Sequence, residues 1–195
     1  MRFIDIDTQK PQFDAIKAAA ELLADDYPLV FPTDTTFGIL MRFTVENAAR
    51  LHALRRDDLS KPFLAVLSED FNWKSLVNAD FLSHENIHYV ETYWPGTNTL
   101  LFPKAKHLAY PTGNRIALRM PAVENNRAFH TLVQLCDFAL MAPLFNRPGE
   151  PVITTRNEAA AKFAEIEYAF WDDFYRPQNP SALWDLSQTP IVKVR

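Results

Sequence analysis

Glycine is scarce in this chain: four residues of 195, where average usage near 7% would supply about 14. Such scarcity excludes flexible glycine-rich linkers and marks Gly38, Gly96, Gly113 and Gly149 as positions where a side chain is not tolerated. All four stand in polar, turn-like settings: PTDTTFG, YWPGTNT, PTGNR and FNRPGEP. A single cysteine, Cys136, excludes an internal disulfide, and its apolar surroundings from Leu132 to Met141 read as those of a buried small hydrophobe rather than a nucleophile. No apolar run approaches the roughly 20 residues of a membrane span. The opening MRFIDIDTQK also lacks the charged-then-apolar layout of a secretion signal. The expectation is a soluble, cytoplasmic protein with no membrane partner. An excess of basic residues is missing too. A formal net charge of -4 excludes nonspecific coating of nucleic acid, so any RNA contact needs a local patch.

What is present suits one core. With 48% hydrophobic residues the chain is long enough for one sizeable interior and short for two, so residues 1–195 read as a single domain. Fourteen prolines punctuate it, and function is expected on fixed loops between short elements. Phe13, Ile16, Ala20 and Leu23 recur at helical spacing after Pro11, and Pro28 to Pro32 reads as a buried strand. A strand from Gly38 to Phe43 follows the PTDT turn, then Thr44 caps a helix with Val45, Ala48, Leu51 and Leu54 on one face. Further strands are predicted at Phe63 to Leu67, Thr99 to Phe102, Ile116 to Met120, Phe138 to Ala142, Ala182 to Leu186 and Ile191 to Val194. Helices are predicted near Phe81 to Tyr93, Asn126 to Leu135 and Asn157 to Phe163. More strands than helices predicts an α/β protein with a twisted, mixed parallel and antiparallel sheet flanked by helices.

The chemistry starts at Pro32-Thr33-Asp34-Thr35-Thr36-Phe37-Gly38, just after a buried strand. Its three hydroxyls and one carboxylate offer donors and acceptors at the strand end where open α/β sheets place ligands. Taken alone, the segment reads first as an ordinary Asx or Ser/Thr turn. Arg115 and Arg119 stand four apart in a predicted strand, hence on one face, where two guanidinium groups can hold a phosphate or carboxylate; a solvated basic edge strand is the alternative.

These segments resemble the YrdC/YciO-like family. PTDTTFG resembles its PT[DE]TxYGL signature, YWPGTNT its WPGPxT turn, and RIALRMP its TVAVRxP strand. FNRPGEP resembles the end of its TSANxSGxP loop, and PSALWDLSQTPIVKVR its C-terminal PSTIVDLTxxxPxILR. The ordered set spans Pro28 to Arg195. The resemblance implies a YrdC-like fold and threonylcarbamoyl-AMP synthase chemistry: ATP, with Mg²⁺ as its substrate complex, reacts with L-threonine and bicarbonate. The products are pyrophosphate and a threonylcarbamoyl-adenylate destined for tRNA. No tightly bound cofactor and no resident metal are expected.

By position, the resemblance implies that Thr35 and Arg119 hold threonine with Thr33 beside them, and that Ser181 faces both ligands. Asn146 then lies by the nucleotide and Arg195 by its phosphates, with Arg115 as a further nucleotide contact. A carboxylate calls for a guanidinium, and a triphosphate for cations. Departures accompany the likeness. The family's Lys-x-Arg motif reads Arg55-Arg56-Asp57, which leaves Arg55 in a catalytic position, places an acid where an arginine belongs, and makes Lys61 the replacement cation. Leu144 replaces the serine of Ser-x-Asn, Val66 a histidine, Arg115 a threonine and Ala182 the threonine of the PST turn. Such losses resemble the YciO branch and predict a retained pocket with synthase turnover weak or lost.

Two other readings remain open. One is a non-catalytic RNA- or nucleotide-binding module, with tRNA or double-stranded RNA held by a patch of Arg55, Arg56, Lys61, Lys104, Lys106 and Arg115. The other is a zinc hydrolase on His84-Glu85-Asn86-Ile87-His88, which fits HExxH but lacks a clear third ligand.

Overall fold

The computed structural model describes residues 1–59, 61–110, 113–188 and 190–194, apart from the side chains of His84 and Glu85. The chain enters through a short strand, Arg2–Asp5 (β1), and a helix, Phe13–Ala24 (α1), whose Ile16, Ala19 and Leu23 are buried one or two turns apart. Leu29–Pro32 (β2) and Phe37–Arg42 (β3) form an antiparallel hairpin in which Leu29 faces Leu40 and Pro32 faces Phe37. Every residue of β2 is buried, because both faces of the sheet are covered here and no position is left to solvent. Val45–Arg55 (α2) starts at Thr44, whose hydroxyl accepts the Asn47 amide at 3.2 Å. Ala65–Val66 (β4), His84–Tyr93 (α3), Asn98–Pro103 (β5), Arg115–Arg119 (β6) and Arg127–Leu135 (α4) follow. Leu140–Met141 (β7), Arg156–Lys162 (α5), Tyr168–Trp171 (β8), Ala182–Asp185 (β9) and Val192–Lys193 (β10) complete the described elements.

The strands join in the order β1-β8-β2-β3-β7-β4-β6-β5-β9-β10. The β1–β8, β8–β2, β4–β6 and β5–β9 pairs are parallel and the others antiparallel, so the sheet is mixed as predicted. Alternation along the strands divides the interior. Phe31, Leu40 and Phe170 face α1 and α4 on one side, while Val30, Ile39, Ala169 and Trp171 pack with Leu51, Phe145 and Phe163 on the other. A third cluster, built on Leu100, Phe102, Ile116 and Leu118, fills the far half beneath α3.

Several boundaries shift. The predicted Phe81 to Tyr93 helix starts only at His84, because the Ser83 hydroxyl caps it by accepting the Asn86 amide, and Phe81 ends a separate 3₁₀ turn, Ala79–Phe81. The strands predicted at Phe63 to Leu67, Phe138 to Ala142 and Ile191 to Val194 contract to two residues each, since pairing lasts only where a partner runs alongside. β1 and β8 were not predicted. β1 is a half-exposed four-residue edge, and β8 is a short aromatic run with no alternation, buried by tertiary packing.

Cys136 is buried, and burial, aided by Asp137, pushes its thiol from the ordinary 9.0 up to about 12. Between these values unfolding releases a proton, so this group lowers stability as pH rises through that window. The native chain is therefore expected to resist thiol reagents at pH 8 and to react once denaturant opens it; rapid labelling without denaturant would contradict this.

Among the described residues no helix is long and apolar enough to cross a membrane.

Candidate functional site

The β2–β3 turn is held by its own first hydroxyl. Thr33 donates its Oγ1 proton to the Thr36 carbonyl at 2.7 Å, accepts the Thr35 and Thr36 amides at 3.3 Å, and donates its own amide to the Thr36 carbonyl at 2.9 Å. Gly38 is required just beyond it, because a Cβ there would stand 3.0 Å from the Thr33 methyl and 3.3 Å from the Pro143 carbonyl. Asn126, fully buried at the start of α4, clamps the turn from below. Its amide nitrogen donates to the Pro32 and Thr33 carbonyls at 2.8 and 2.9 Å, while its oxygen caps α4 by accepting the Phe129 amide. Sequence reading missed this role, although an Asn just ahead of an amphipathic helix is a capping signal.

β6 ends at Arg119, which reaches across the sheet to the turn. Its Nη2 lies 2.5 Å from Asp34 Oδ2 and its Nη1 donates to the Thr35 hydroxyl at 3.3 Å. Both charged side chains are buried, and the second Asp34 oxygen, also buried, has no hydrogen-bond partner among the described residues. Burial pushes the Asp34 carboxyl above the ordinary 3.8, against the opposing pull of Arg119. Tyr175 packs its ring edge on Phe37 at 5.0 Å, and its buried hydroxyl is pushed upward by desolvation and by the Asp34 charge.

The facing wall comes from the end of α2. Arg56 adopts a left-handed conformation, φ 55°, which closes the helix and folds Asp57 back over Arg55. Arg55 donates to the Leu144 carbonyl at 2.6 Å and meets Asp57 at 3.3 Å, and both side chains are only 9% exposed. Behind them His52 stacks on Phe63 at 4.3 Å, and burial lowers its pKa.

These walls enclose a cavity of about 200 Å³. Thr33, Thr35, Arg55, Lys61, Arg119 and Ser181 all line it, with Asp34, Asp57, Val66 and Leu144. Ser181, at the entry to β9, shares a 2.7 Å hydrogen bond with Thr99 of β5.

Two other predicted site residues lie elsewhere. Arg115 does not join Arg119. They share β6, but four residues of strand separate their Cα atoms by roughly 13 Å, and Arg115 pairs instead with Asp185 at 2.9 Å. Asn146 does not line the cavity; its amide nitrogen donates to the Glu150 carbonyl at 2.6 Å, closing the loop that holds Gly149. Arg195 lies outside the described residues. Of the predicted cationic patch, Arg55 is buried in the cavity wall, Arg115 pairs with Asp185, and Lys104 Nζ donates to the Leu108 carbonyl. The HExxH reading falls on His84 and Glu85, whose side chains are outside the described residues. Among the described residues no group of three or more His, Cys, Asp or Glu could hold a metal.

Gly149 has φ +82° and no atom within 4 Å of a built Cβ, so its requirement is conformational and not steric. Gly149→Ala is expected to cost about 1 kcal/mol, with Gly149→Asn milder, as read from urea midpoints. Equal stability of all three forms would show the backbone relaxing freely.

Residues 21–195 match the Sua5/YciO/YrdC family, described as Telomere recombination. Over 185 residues the chain is 27% identical to a threonylcarbamoyl-AMP synthase of Pyrococcus abyssi, covering 92% of this chain and 53% of that protein. It is 27% identical over 154 residues to that of Escherichia coli O6:H1, covering 78% of this chain and 80% of the relative. In structure, P. abyssi Sua5 complexed with L-threonine aligns over 100% of this chain and 57% of its own, with a TM-score of 0.84 and 22% identity. E. coli YciO aligns over 100% of this chain and 94% of its own, with a TM-score of 0.81 and 18% identity. The chain thus spans about half the length of the archaeal proteins and most of the bacterial ones.

Proposed function

The chain belongs to the Sua5/YciO/YrdC family, and from this we propose that its cavity binds L-threonine and a nucleotide in the chemistry of threonylcarbamoyl-adenylate formation, with synthase turnover weak or absent. One observation carries the reading: the buried Asp34–Arg119 pair meets the Thr35 hydroxyl in a cavity also lined by Ser181. An amino acid presents an anion, a cation and, in threonine, a hydroxyl. Arg119 answers the carboxylate, the second Asp34 oxygen the ammonium, and Thr35 or Ser181 the hydroxyl. That a related protein takes L-threonine supports the assignment.

ATP, with Mg²⁺ as its substrate complex, and bicarbonate are the remaining reactants, with Lys61 at the phosphates. The departures set the rate. Adenylate formation needs charge stabilised on the α-phosphate and on the leaving pyrophosphate, and one preorganised donor is worth about 10²–10³ in rate. Here Arg55 is already engaged by Asp57 and the Leu144 carbonyl, and the leucine side chain supplies no hydroxyl. Direct RNA contact is not part of the proposal, because Arg55 is buried and Arg115 is engaged by Asp185.

Thermal shift with threonine, AMP and ATP, singly and together, tests the pocket, since ligands selective for the folded state raise its apparent stability. A shift with threonine plus nucleotide is expected. No shift with any of them at millimolar concentration would refute the reading.

A further inference from the structure

The cavity carries more cations than it leaves open to an anion. Among the described residues three line it, and two face carboxylates in the same lining: Arg119 opposite Asp34, and Arg55 opposite Asp57. The second Asp57 oxygen accepts the Asp58 amide at 2.9 Å, so both oxygens of this carboxylate are engaged before any metal arrives. Lys61 is exposed and makes no ion pair with a described residue, which leaves the described lining with one net positive charge.

We propose that this pocket selects its nucleotide by phosphate charge, taking one with a single phosphoryl group, an adenosine monophosphate or an acyl-adenylate, in preference to a triphosphate. The inference rests on the nucleotide pocket proposed above and specifies its ligand class. A single phosphoryl group is matched by Lys61 without disturbing the opposite wall. Each further phosphoryl group adds negative charge that must either lie against the Asp57 carboxylate or pull Arg55 away from it. Arg55 cannot turn to a phosphate cheaply, because its Nη1 holds the Leu144 carbonyl and its Nη2 the acid. Moving it would strip the Asp57 carboxylate of its cation and leave it only the Asp58 amide, and would leave the Leu144 carbonyl only the Asn146 amide.

The test is calorimetric titration of the full chain with AMP, ADP and ATP at fixed ionic strength, with and without magnesium. The dissociation constant is expected to rise from AMP to ATP by about tenfold, the usual scale of one like-charge contact in a partly buried site. Asp57→Asn, which removes the charge and keeps the shape, should bring the ATP and AMP constants several-fold closer. Lys61→Gln, at an exposed position that folding does not need, should weaken AMP binding about tenfold. ATP binding tighter than AMP, with or without magnesium, would overturn the inference while leaving the nucleotide pocket standing. So would an unchanged ratio in folded Asp57→Asn, or unchanged AMP affinity in Lys61→Gln. Absence of binding by all three nucleotides would overturn both.

Discussion

Arg119→Ala is expected to lower stability by about 3–5 kcal/mol and to abolish threonine binding. Truncation leaves Asp34 buried, its Oδ2 stripped of a 2.5 Å partner and its Oδ1 already without one among the described residues. It also removes the guanidinium that faces the Thr35 hydroxyl. The pH dependence separates this from general loosening of the core. Burial already holds Asp34 above its ordinary 3.8, and without Arg119 only a backbone hydrogen bond opposes that rise. A carboxyl whose folded pKa is raised contributes stability that is fully present below the unfolded value and lost as pH rises through the folded value. The variant should therefore recover stability as pH falls through the raised folded value toward the ordinary 3.8, Asp34 taking up its proton on the way. Replacing both partners by apolar residues of similar volume should restore much of the stability but none of the binding. Urea unfolding at pH 5 and pH 8, with threonine titrations alongside, reads both effects. A loss below 1 kcal/mol with binding intact would show that the pair is ornamental.

Asp57→Arg combined with Leu144→Ser is expected to raise threonine- and bicarbonate-dependent pyrophosphate release by about 10²-fold, the value of one recovered transition-state donor. Removing Asp57 frees Arg55 from its ion pair, and the new side chains supply the cation and hydroxyl that the sequence resemblance implies at these positions. The gain should appear in kcat, because these groups act on charge that develops only as the adenylate forms. Arg119→Ala in the same background should erase it. Robust release by the natural protein would show that the Arg55–Asp57 pair opens in the working state. No gain in the double variant would assign the cavity to another reaction.

Much of the site was legible because its motifs are local. The PTDTT turn closes through hydrogen bonds spanning three residues, so its composition alone marks a polar cradle after a strand. Thr35, Arg119 and Ser181 then entered through their places in an ordered set of motifs, and all three line the cavity. Strand periodicity misled for Arg115: it gives the face on which a side chain stands and says nothing of the partner waiting at each end. Asp185, held by Ser187 and Gln188, occupies the Arg115 end, and Asp34 the Arg119 end. Asp57 was legible as a lost cation but not as a cation's partner, because its approach to Arg55 depends on the left-handed turn at Arg56.

By itself, then, the sequence determined the mixed α/β architecture, the polar turn after β2, the family likeness and the glycine at φ +82°. Each follows from interactions between residues close in the chain or from spacing that survives without coordinates. The tertiary structure alone decided that β8 enters the sheet between β1 and β2, that Asn126 fastens α4 to a turn 93 residues away, and that Asp34 and Arg119 are a buried pair 85 residues apart. Such contacts leave no period in the sequence. Their strength comes from exclusion of water by segments that meet only once the core has closed, which leaves a buried carbonyl or carboxylate to find its partner wherever the fold brings one.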